Sequence, residues 1–383
     1  MKSDIESVLA IQTKNVNAKI DLVNRFGNFI SNGKGSYVSF PLNQYICYIA
    51  QFKWFIDKDE VEFGDDNVDK TKLNIEGSDF VSTNAFQDSL RWNAGLARYN
   101  LNDYLIKARK VKEILVADAS IQPNDTATIV IEKDAYMRPL NNATVIANVV
   151  SKYHKITGAQ IQVKGRKEYE GTGQYAYNDH AGTPHLISLE RIGVDTAKQT
   201  YANGNIPETE NFQLSTNIQY KGRVQINAAN PLLNFDGFAS VKHLCTAGLS
   251  INWFGFKSDI DIKNLTIPVD EPRNENGERL GVGIFLSNDS SGYYAGFISP
   301  KEKNTDSAMV AVKGYLSYND KANSYYIASK EKISNPDLPG NSISLNNDSC
   351  YVVAEGELKP GFNFGQLKTT FNGRVIYNPL NDS

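Results

Sequence analysis

Gly314-Tyr315-Leu316-Ser317-Tyr318-Asn319 alternates apolar and polar side chains and ends in an asparagine. Two other segments have this form: Gly95-Leu96-Ala97-Arg98-Tyr99-Asn100 and Gly173-Gln174-Tyr175-Ala176-Tyr177-Asn178. The downstream apolar residues are also similar: Ile106 and Val111, Ile187 and Ile192, and Ile327 and Ile333. Alternation of this kind is typical of a half-buried β-strand, and asparagine is a turn former. Each segment therefore predicts the first strand of a β-hairpin whose tyrosine lies near the strand end.

A second pair of segments supports some internal duplication. Gly222-Arg223-Val224-Gln225-Ile226-Asn227 matches Gly373-Arg374-Val375-Ile376-Tyr377-Asn378. By subtraction, Gly95 and Gly173 are 78 positions apart, Gly173 and Gly314 are 141 apart, and Gly222 and Gly373 are 151 apart. A fixed solenoid period is absent, and chance similarity among Gly-, Tyr- and Asn-rich hairpins is the alternative.

The rest of the chain has the same β character. Twenty Tyr and eighteen Phe, against three Trp and three Met, suit the pleated surfaces of sheets, and Thr128-Ile129-Val130-Ile131-Glu132 is a β-branched run. We therefore predict an all-β fold of stacked β-hairpin units, either a β-solenoid or a β-jellyroll or sandwich, with an amphipathic helix at the N-terminus. The predicted regions are 1–31, the N-terminal segment; 32–228, a first β repeat region; and 229–383, a second β region with a loop insertion.

The N-terminal segment has two interpretations. Ser3-Asp4-Ile5-Glu6 has the form of a capping box, and a helical stripe of apolar residues follows it, which favours a helix. The second half of the segment also alternates, with Ala18, Ile20 and Leu22 separated by Lys19 and Asp21, which favours a strand.

Charge and termini limit the classes of partner. The formal net charge is −3 and the basic residues are scattered, which argues against nucleic-acid binding. The opening Met1-Lys2-Ser3-Asp4 lacks the apolar core of a signal peptide, and the ending provides no finished terminal element. The chain is therefore interpreted either as a whole protein or as a piece of a longer parent chain whose targeting segment lies elsewhere.

Residues that could carry chemistry are few. No G-x-S-x-G elbow occurs, and the only imidazoles are His154, His180, His185 and His243. Asp179-His180 with His185 is the densest titratable cluster, and its position after Tyr177-Asn178 predicts a solvated hairpin turn rather than a metal or acid-base site.

Two further patterns are interpreted as structural. Gly33-Lys34-Gly35-Ser36 lacks the Walker spacing of a phosphate loop. The acidic pairs are predicted to be solvated loops: Asp57 with Asp59, Asp65 with Asp66, and Asp259 with Asp261. The sequence thus predicts no catalytic, cofactor-binding or metal-binding residues and no cofactor.

Three cysteines are widely spaced and form no zinc-site pattern: Cys47, Cys245 and Cys350. Buried free thiols are the favoured interpretation. A disulfide between Cys245 and Cys350 in an oxidising compartment is the alternative, because sequence spacing does not establish its geometry.

The unit of glycine, strand, Tyr-Asn turn and strand resembles the repeated hairpin of the periplasmic organic-solvent-tolerance and lipopolysaccharide-transport proteins, over residues 33–228 and 312–378. The resemblance implies stacked V-shaped β layers and a groove that carries acyl chains. We expect a periplasmic or extracellular, non-catalytic β scaffold or binding module of the cell envelope, whose partners are other envelope proteins or the rest of the parent chain, with lipid or glycan as ligand. The alternative is a carbohydrate-active enzyme on a β-helix or β-sandwich.

Overall fold

The computed structural model describes residues 9–64, 78–124, 127–179, 182–245, 249–288, 292–360 and 371–379. Regular structure in these ranges is almost entirely antiparallel β-sheet, which confirms the all-β prediction. The chain forms two compact units. Unit 1 comprises Met1–Ala176, Ser188–Gly204 and Ile226–Pro231, and unit 2 comprises Tyr177–Ile187, Asn205–Gln225 and Leu232–Ser383. The division of the sequence into regions 1–31, 32–228 and 229–383 stays a prediction.

The first fourteen described strands alternate between two sheets of unit 1, mostly in consecutive pairs. They are β1 (Gln12–Lys14), β2 (Val16–Asp21), β3 (Phe26–Ser31), β4 (Tyr37–Phe40), β5 (Tyr45–Tyr48), β6 (Gln51–Phe55), β7 (Glu60–Gly64), β8 (Ser78–Ser82), β9 (Arg91–Ala94), β10 (Leu96–Asn100), β11 (Ile106–Arg109), β12 (Ile114–Val116), β13 (Ala119–Gln122) and β14 (Ile129–Ile131). One sheet has the order β1-β4-β5-β8-β9-β12-β13, and the other has the order β14-β11-β10-β7-β6-β3-β2. Successive hairpins therefore stack along both sheets.

Longer strands follow: β15 (Leu140–Ala147), β16 (His154–Gly165), β17 (Glu168–Asn178), β18 (Pro184–Val194), β19 (Thr200–Ile206), β20 (Gln213–Ser215), β21 (Ile218–Asn227), β22 (Leu233–Val241) and β23 (Trp253–Ile260). In unit 1, β15, β16 and β17 extend the first sheet in that order, and β18 pairs with β19. In unit 2, β21, β22 and β23 are neighbours, and β20 pairs with β21.

The remaining strands lie in unit 2. They are β24 (Ile267–Pro268), β25 (Leu280–Leu286), β26 (Tyr293–Pro300), β27 (Ser307–Ala311), β28 (Tyr315–Asn319), β29 (Ser324–Ala328), β30 (Ser342–Asn346), β31 (Val352–Leu358) and β32 (Phe371–Tyr377). They form a sheet of order β24-β28-β29-β30-β31-β32 and a second sheet of order β26-β25-β27. Ring contacts between Phe297 and Tyr325 (6.1 Å) and between Tyr293 and Tyr377 (6.0 Å) join these two sheets.

Helical structure is short in the described residues. One α-helix, α1, spans Lys330–Ser334. Single turns of 3-10 helix occupy Ile56–Lys58, Ala85–Gln87, Lys133–Ala135, Glu208–Glu210 and Ile262–Asn264.

Aromatic rings fill the space between the two sheets of unit 1. Phe40, on β4 of one sheet, lies 5.5 Å from Phe63 and 4.9 Å from Tyr99, which are on β7 and β10 of the other. Phe63 also contacts Phe80, on β8. All four side chains have no solvent exposure. Alternation places one side chain in two on the inner face of each strand, and these bulky rings pack there as in a β-sandwich.

A buried asparagine ties loops of unit 1 to this core. The side-chain amide of Asn43 donates hydrogen bonds to the carbonyl oxygens of Tyr104 (2.8 Å) and Glu132 (2.9 Å), and Asn43 itself has no solvent exposure. These carbonyls lie in loops, where no neighbouring strand can pair with them. One side chain therefore supplies hydrogen bonds that the sheets leave unmade.

The predicted N-terminal helix is wrong from Gln12 onward, because β1, β2 and β3 occupy this part. The strand alternative for the second half of the segment is confirmed in β2 and β3. The Ser3-Asp4-Ile5-Glu6 capping box lies outside the described residues. A helix would need its apolar stripe covered, yet Ile20 is half exposed and Val23 is 90% exposed. Pairing of β2 with β3 instead satisfies the backbone through a ladder of hydrogen bonds.

The three Gly-x-x-x-Tyr-Asn segments are confirmed as strands that end at their asparagine, since β10, β17 and β28 end at Asn100, Asn178 and Asn319. Two of the hairpins share a register: Tyr99 lies opposite Ile106, and Tyr318 lies opposite Tyr325, seven positions later in each case by subtraction.

The same turn chemistry closes those two hairpins. The Asn100 side-chain oxygen accepts from the backbone N–H groups two and three residues later at 2.8 and 3.2 Å. The Asn319 oxygen does the same at 3.0 and 3.1 Å. A short amide side chain can replace backbone partners in a tight turn, so asparagine specifies where the strand stops.

The Gly-Arg-Val pair also shares an environment. Gly222 lies opposite Gly237, and Gly373 lies opposite Gly356. Gly222 has φ +133°, a backbone conformation that residues with a side chain rarely adopt. A Cβ atom at this position would lie 2.6 Å from the Cα atom of Gly237. In both strands the next residue is an arginine that faces a carboxylate across the ladder.

Asn43→Ala is expected to lower the free energy of unfolding by about 2 kcal/mol, because it leaves two loop carbonyls without their donors. The measurement is chemical denaturation of the purified chain. Asn141→Ala, which changes an exposed asparagine on β15, is the matched control and is expected to stay within about 0.5 kcal/mol of the unmodified protein. Equal stability of the two variants would contradict the bracing role of Asn43.

Candidate ligand-binding groove

A groove of about 1150 Å³ lies in unit 2 over one face of the sheet β24-β28-β29-β30-β31-β32. We call six of its lining residues the floor: Ser317, Tyr326, Ser342, Ser344, Glu355 and Arg374. One wall includes Lys330, Ile333 and Pro336, from α1 and the loop after it, and another includes residues of the segment 261–266. The site is therefore a surface cleft of unit 2.

Alternation in the strands places the floor residues on one face. Ser317, Tyr326 and Ser344 lie directly opposite one another on β28, β29 and β30. Their sequence neighbours point to the other face, where Leu316 and Leu345 are fully buried. Since side chains of a strand alternate between faces, the same pattern that builds the apolar core produces a polar floor.

Tyr326 is the aromatic side chain at the centre of the floor. Its cross-strand neighbours, Ser317 and Ser344, are both small, so no bulky side chain flanks the ring along this row. Burial raises the pKa of the Tyr326 hydroxyl, and the nearby charge of Glu355 raises it further, while a hydrogen bond with Ser342 lowers it. The phenol is therefore neutral at physiological pH and can both donate and accept a hydrogen bond.

Four of the charged side chains in the groove contact protein groups, and Lys263 and Lys321 also line it. The guanidinium of Arg374 lies 3.4 Å from the Glu355 carboxylate on the adjacent strand. The ammonium of Lys330 lies 4.4 Å from the centre of the Tyr315 ring. Asp261 accepts hydrogen bonds from the backbone N–H of Lys263 at 3.0 Å and thereby caps a 3-10 turn. The arrangement supports hydrogen bonding and ring stacking rather than strong attraction to an ion.

The cluster at Asp179 is only partly as predicted. Asp179 is buried and accepts from the Thr183 backbone N–H at 2.8 Å, so it fixes the turn between β17 and β18. His185 lies on β18, 3.4 Å from the Asp179 carboxylate and 5.1 Å from the Phe212 ring. The solvated-turn interpretation is wrong for these two residues, because both pack against protein, and His180 lies outside the described residues.

The other two described histidines are buried. His154 is fully buried, with one ring nitrogen 2.6 Å from the Asn230 carbonyl oxygen and the other 3.3 Å from the Tyr175 hydroxyl. His243 is also buried. Burial lowers the pKa of both imidazoles, although a backbone interaction opposes it in each case. Both rings therefore favour the neutral form at neutral pH.

The acidic pairs are not brought together as sites. Asp57 is exposed and pairs with Arg25 at 2.8 Å. Asp259 lies on β23, so the loop interpretation is wrong for it, and its carboxylate accepts from the Asn234 side-chain amide at 2.7 Å. Asp261 follows that strand and caps the turn beside the groove. Asp65 and Asp66 lie outside the described residues.

The loop Gly33-Lys34-Gly35-Ser36 is a tight turn between β3 and β4. Its two glycines have φ of +102° and +85°, and the buried Ser36 hydroxyl donates to the Asn15 carbonyl oxygen at 2.6 Å. The serine hydroxyl is thus used in the fold.

Cys245 and Cys350 are joined by a disulfide with a Cα–Cα distance of 5.3 Å, so the free-thiol interpretation is wrong for them. It is confirmed for Cys47, which is free and buried. The pairing partners are 105 positions apart, and only the fold brings them together.

The floor was not identified from the sequence, although one signal for it was present. Ser342-Ile343-Ser344-Leu345-Asn346 alternates strictly, which predicts a polar face with several hydroxyls. The missing information was which strands lie beside β30, because their registers depend on contacts distant in sequence.

Comparison of the chain with protein-family models, with curated proteins and with solved structures gives no match. Within the described ranges, no cluster of three or more His, Cys, Asp and Glu side chains is arranged to hold a metal ion. In those same ranges, no helix has the length and apolar character needed to cross a membrane.

Tyr326 is expected to ionise at higher pH than an ordinary tyrosine, whose pKa is near 10. The stability linked to its neutral form is fully present below about pH 10 and is lost as the pH rises through the raised pKa. The measurement is the phenolate absorbance of the unmodified protein minus that of Tyr326→Phe. Glu355→Gln should lower the midpoint of this difference curve, and a midpoint at or below 10 in the unmodified protein would contradict the burial of the hydroxyl.

Proposed function

We propose that the chain is a non-catalytic β scaffold and binding module of the cell envelope. The observation that carries the proposal is the groove of unit 2, which combines hydroxyl groups and an aromatic ring with carboxylates that already have structural partners. Asp261 caps a 3-10 turn and Glu355 pairs with Arg374. Catalysis by a carboxylate pair needs groups free to exchange protons with a substrate.

The core of unit 1 supports scaffolding rather than acyl-chain transport. Inward-facing apolar positions are filled by rings that contact one another, as at Phe40, Phe63 and Tyr99. A lipid carrier of the kind implied by the resemblance would need these positions to face a ligand. The resemblance to lipopolysaccharide-transport proteins therefore enters the proposal through its stacked hairpins alone.

Partner contact is supported by exposed apolar residues at the β2–β3 hairpin. Leu22 is 72% exposed and Val23 is 90% exposed, both at its tip, and Ile20 on β2 is also exposed. Clusters of exposed apolar side chains often mark interaction surfaces. We propose another envelope protein, or a further part of a parent chain, as the partner at this hairpin.

An extracytoplasmic location is supported by the disulfide of unit 2, because such bonds persist in oxidising compartments. In cells that make the protein naturally, we expect it in the envelope or secreted fraction. Alkylation without reductant should leave Cys245 and Cys350 unmodified, and Cys47 should react once the protein is unfolded. Recovery of the protein from the cytosol, with all three cysteines alkylated in the absence of reductant, would contradict the extracytoplasmic location.

Absence of catalysis is tested with the purified chain on soluble neutral polysaccharides. We expect the unmodified chain to release no more reducing ends than the double variant Asp261→Asn, Glu355→Gln. Turnover that disappears in this variant, while thermal unfolding stays unchanged, would replace the proposal with the carbohydrate-active enzyme.

A further inference from the structure

We infer that the groove of unit 2 binds a neutral oligosaccharide, with the Tyr326 ring as a stacking platform. This inference rests on the proposed binding function and names its ligand class. The observations that support it are the setting of the ring, the chemistry of the lining and the volume of the groove.

The Tyr326 ring has a small neighbour on each side, because the cross-strand row contains Ser317, Tyr326 and Ser344. Each serine lies opposite the tyrosine on an adjacent strand, and each carries only a hydroxymethyl group. The Ser317 hydroxyl is occupied by the Tyr326 carbonyl oxygen at 3.3 Å, which holds it low on the sheet. A flat ligand face can therefore approach the ring without displacing a neighbouring side chain. The C–H face of a pyranose is such a surface, and an aromatic ring offers it a large apolar area.

Hydroxyl groups form part of the polar lining around the ring. Ser342 and Ser344 contribute hydroxyls in addition to Tyr326. The hydroxyls of Ser324 and Ser334 already donate to the carbonyl oxygens of Ala322 and Lys330 at 2.8 and 3.1 Å. A hydroxyl donates one hydrogen bond and accepts others, and it rotates to suit its partner. This matches a ligand whose own groups are hydroxyls that act in both senses. An acyl chain would offer no hydrogen bond to the hydroxyls of Ser342 and Ser344, at an energetic cost.

Charge pairing on the floor argues against an anionic ligand there, and Lys263 and Lys321 are further cations of the lining. Arg374, the basic residue of the floor, faces Glu355 on the neighbouring strand. Lys330 lies over the Tyr315 ring. A phosphate or carboxylate would have to compete with Glu355 for the guanidinium, whereas a neutral sugar can hydrogen-bond to the ion pair as it stands.

The volume of about 1150 Å³ fits more than one sugar unit. Sites for drug-sized ligands usually occupy about 300–1,000 Å³, so this groove exceeds the needs of a monosaccharide. The lining runs from Arg374 on β32 to Ser317 on β28, across five adjacent strands spaced about 4.8 Å apart. An extended oligosaccharide that crosses the strands is therefore the ligand form that we infer.

The test is titration calorimetry of the purified chain against neutral hexasaccharides of glucose, N-acetylglucosamine and mannose, with phosphatidylglycerol vesicles and inorganic phosphate as competing probes. We expect binding of at least one hexasaccharide. Tyr326→Ala should weaken it about tenfold or more, which corresponds to about 1.4 kcal/mol. Tyr326→Phe should keep most of the affinity, because the ring is preserved. Ser344→Phe should also weaken binding, because it fills the space beside the ring.

Tyr351→Ala is the matched control, since Tyr351 is an exposed tyrosine of unit 2 outside the groove lining, and it should leave the affinity unchanged. Circular dichroism and thermal unfolding establish that each variant is folded. No binding of any hexasaccharide, binding of vesicles or phosphate alone, or equal loss in Tyr326→Ala and Tyr351→Ala would overturn the inference. The envelope location and the absence of turnover are tested by separate measurements. Failure of the inference can therefore be distinguished from failure of the proposed function.

Discussion

Packing of aromatic rings between the two sheets of unit 1 is the interaction on which the remaining structure of that unit depends. Phe40, Phe63 and Tyr99 come from three hairpins and meet in the interior. Their burial fixes which face of each strand points inward, because a slip of one residue would expose the rings and bury polar groups. Register, turn position and the need for a buried donor such as Asn43 all follow from that choice of face.

The sequence predicted features encoded within one hairpin. Asn100 and Asn319 marked strand ends correctly, since the side chain that closes each turn belongs to the strand itself. The N-terminal segment was harder, because apolar residues around Ile20 satisfy both helical and strand spacing. Propensity did not decide between them, and pairing of β2 with β3 did. Alternation along the sequence therefore predicts a strand well only where the same apolar residues do not also fit the helical period.

The groove could not be predicted because its parts are distant in sequence. Tyr326 gains its setting from Ser317 and Ser344, on separate strands whose register depends on the whole sheet. Arg374 belongs to a repeated Gly-Arg-Val segment, but strand pairing alone places its carboxylate partner, Glu355, opposite it. In the same way, the spacing of the cysteines allowed the Cys245–Cys350 disulfide only as an alternative to free thiols, and the fold decides between the two. Alternation indicates that a polar face exists, whereas topology determines which residues share it.

The link between Cys245 and Cys350 has a mechanical consequence. It closes a covalent loop across 105 positions, and β28, β29 and β30 lie within that loop. Tension applied through the two chain termini would pass across the sulfur bridge and bypass the enclosed residues. The extensible contour of the chain would thus be shorter by roughly 350 Å. Under such tension the strands bearing Ser317, Tyr326 and Ser344 would stay out of the load path even while flanking segments stretch.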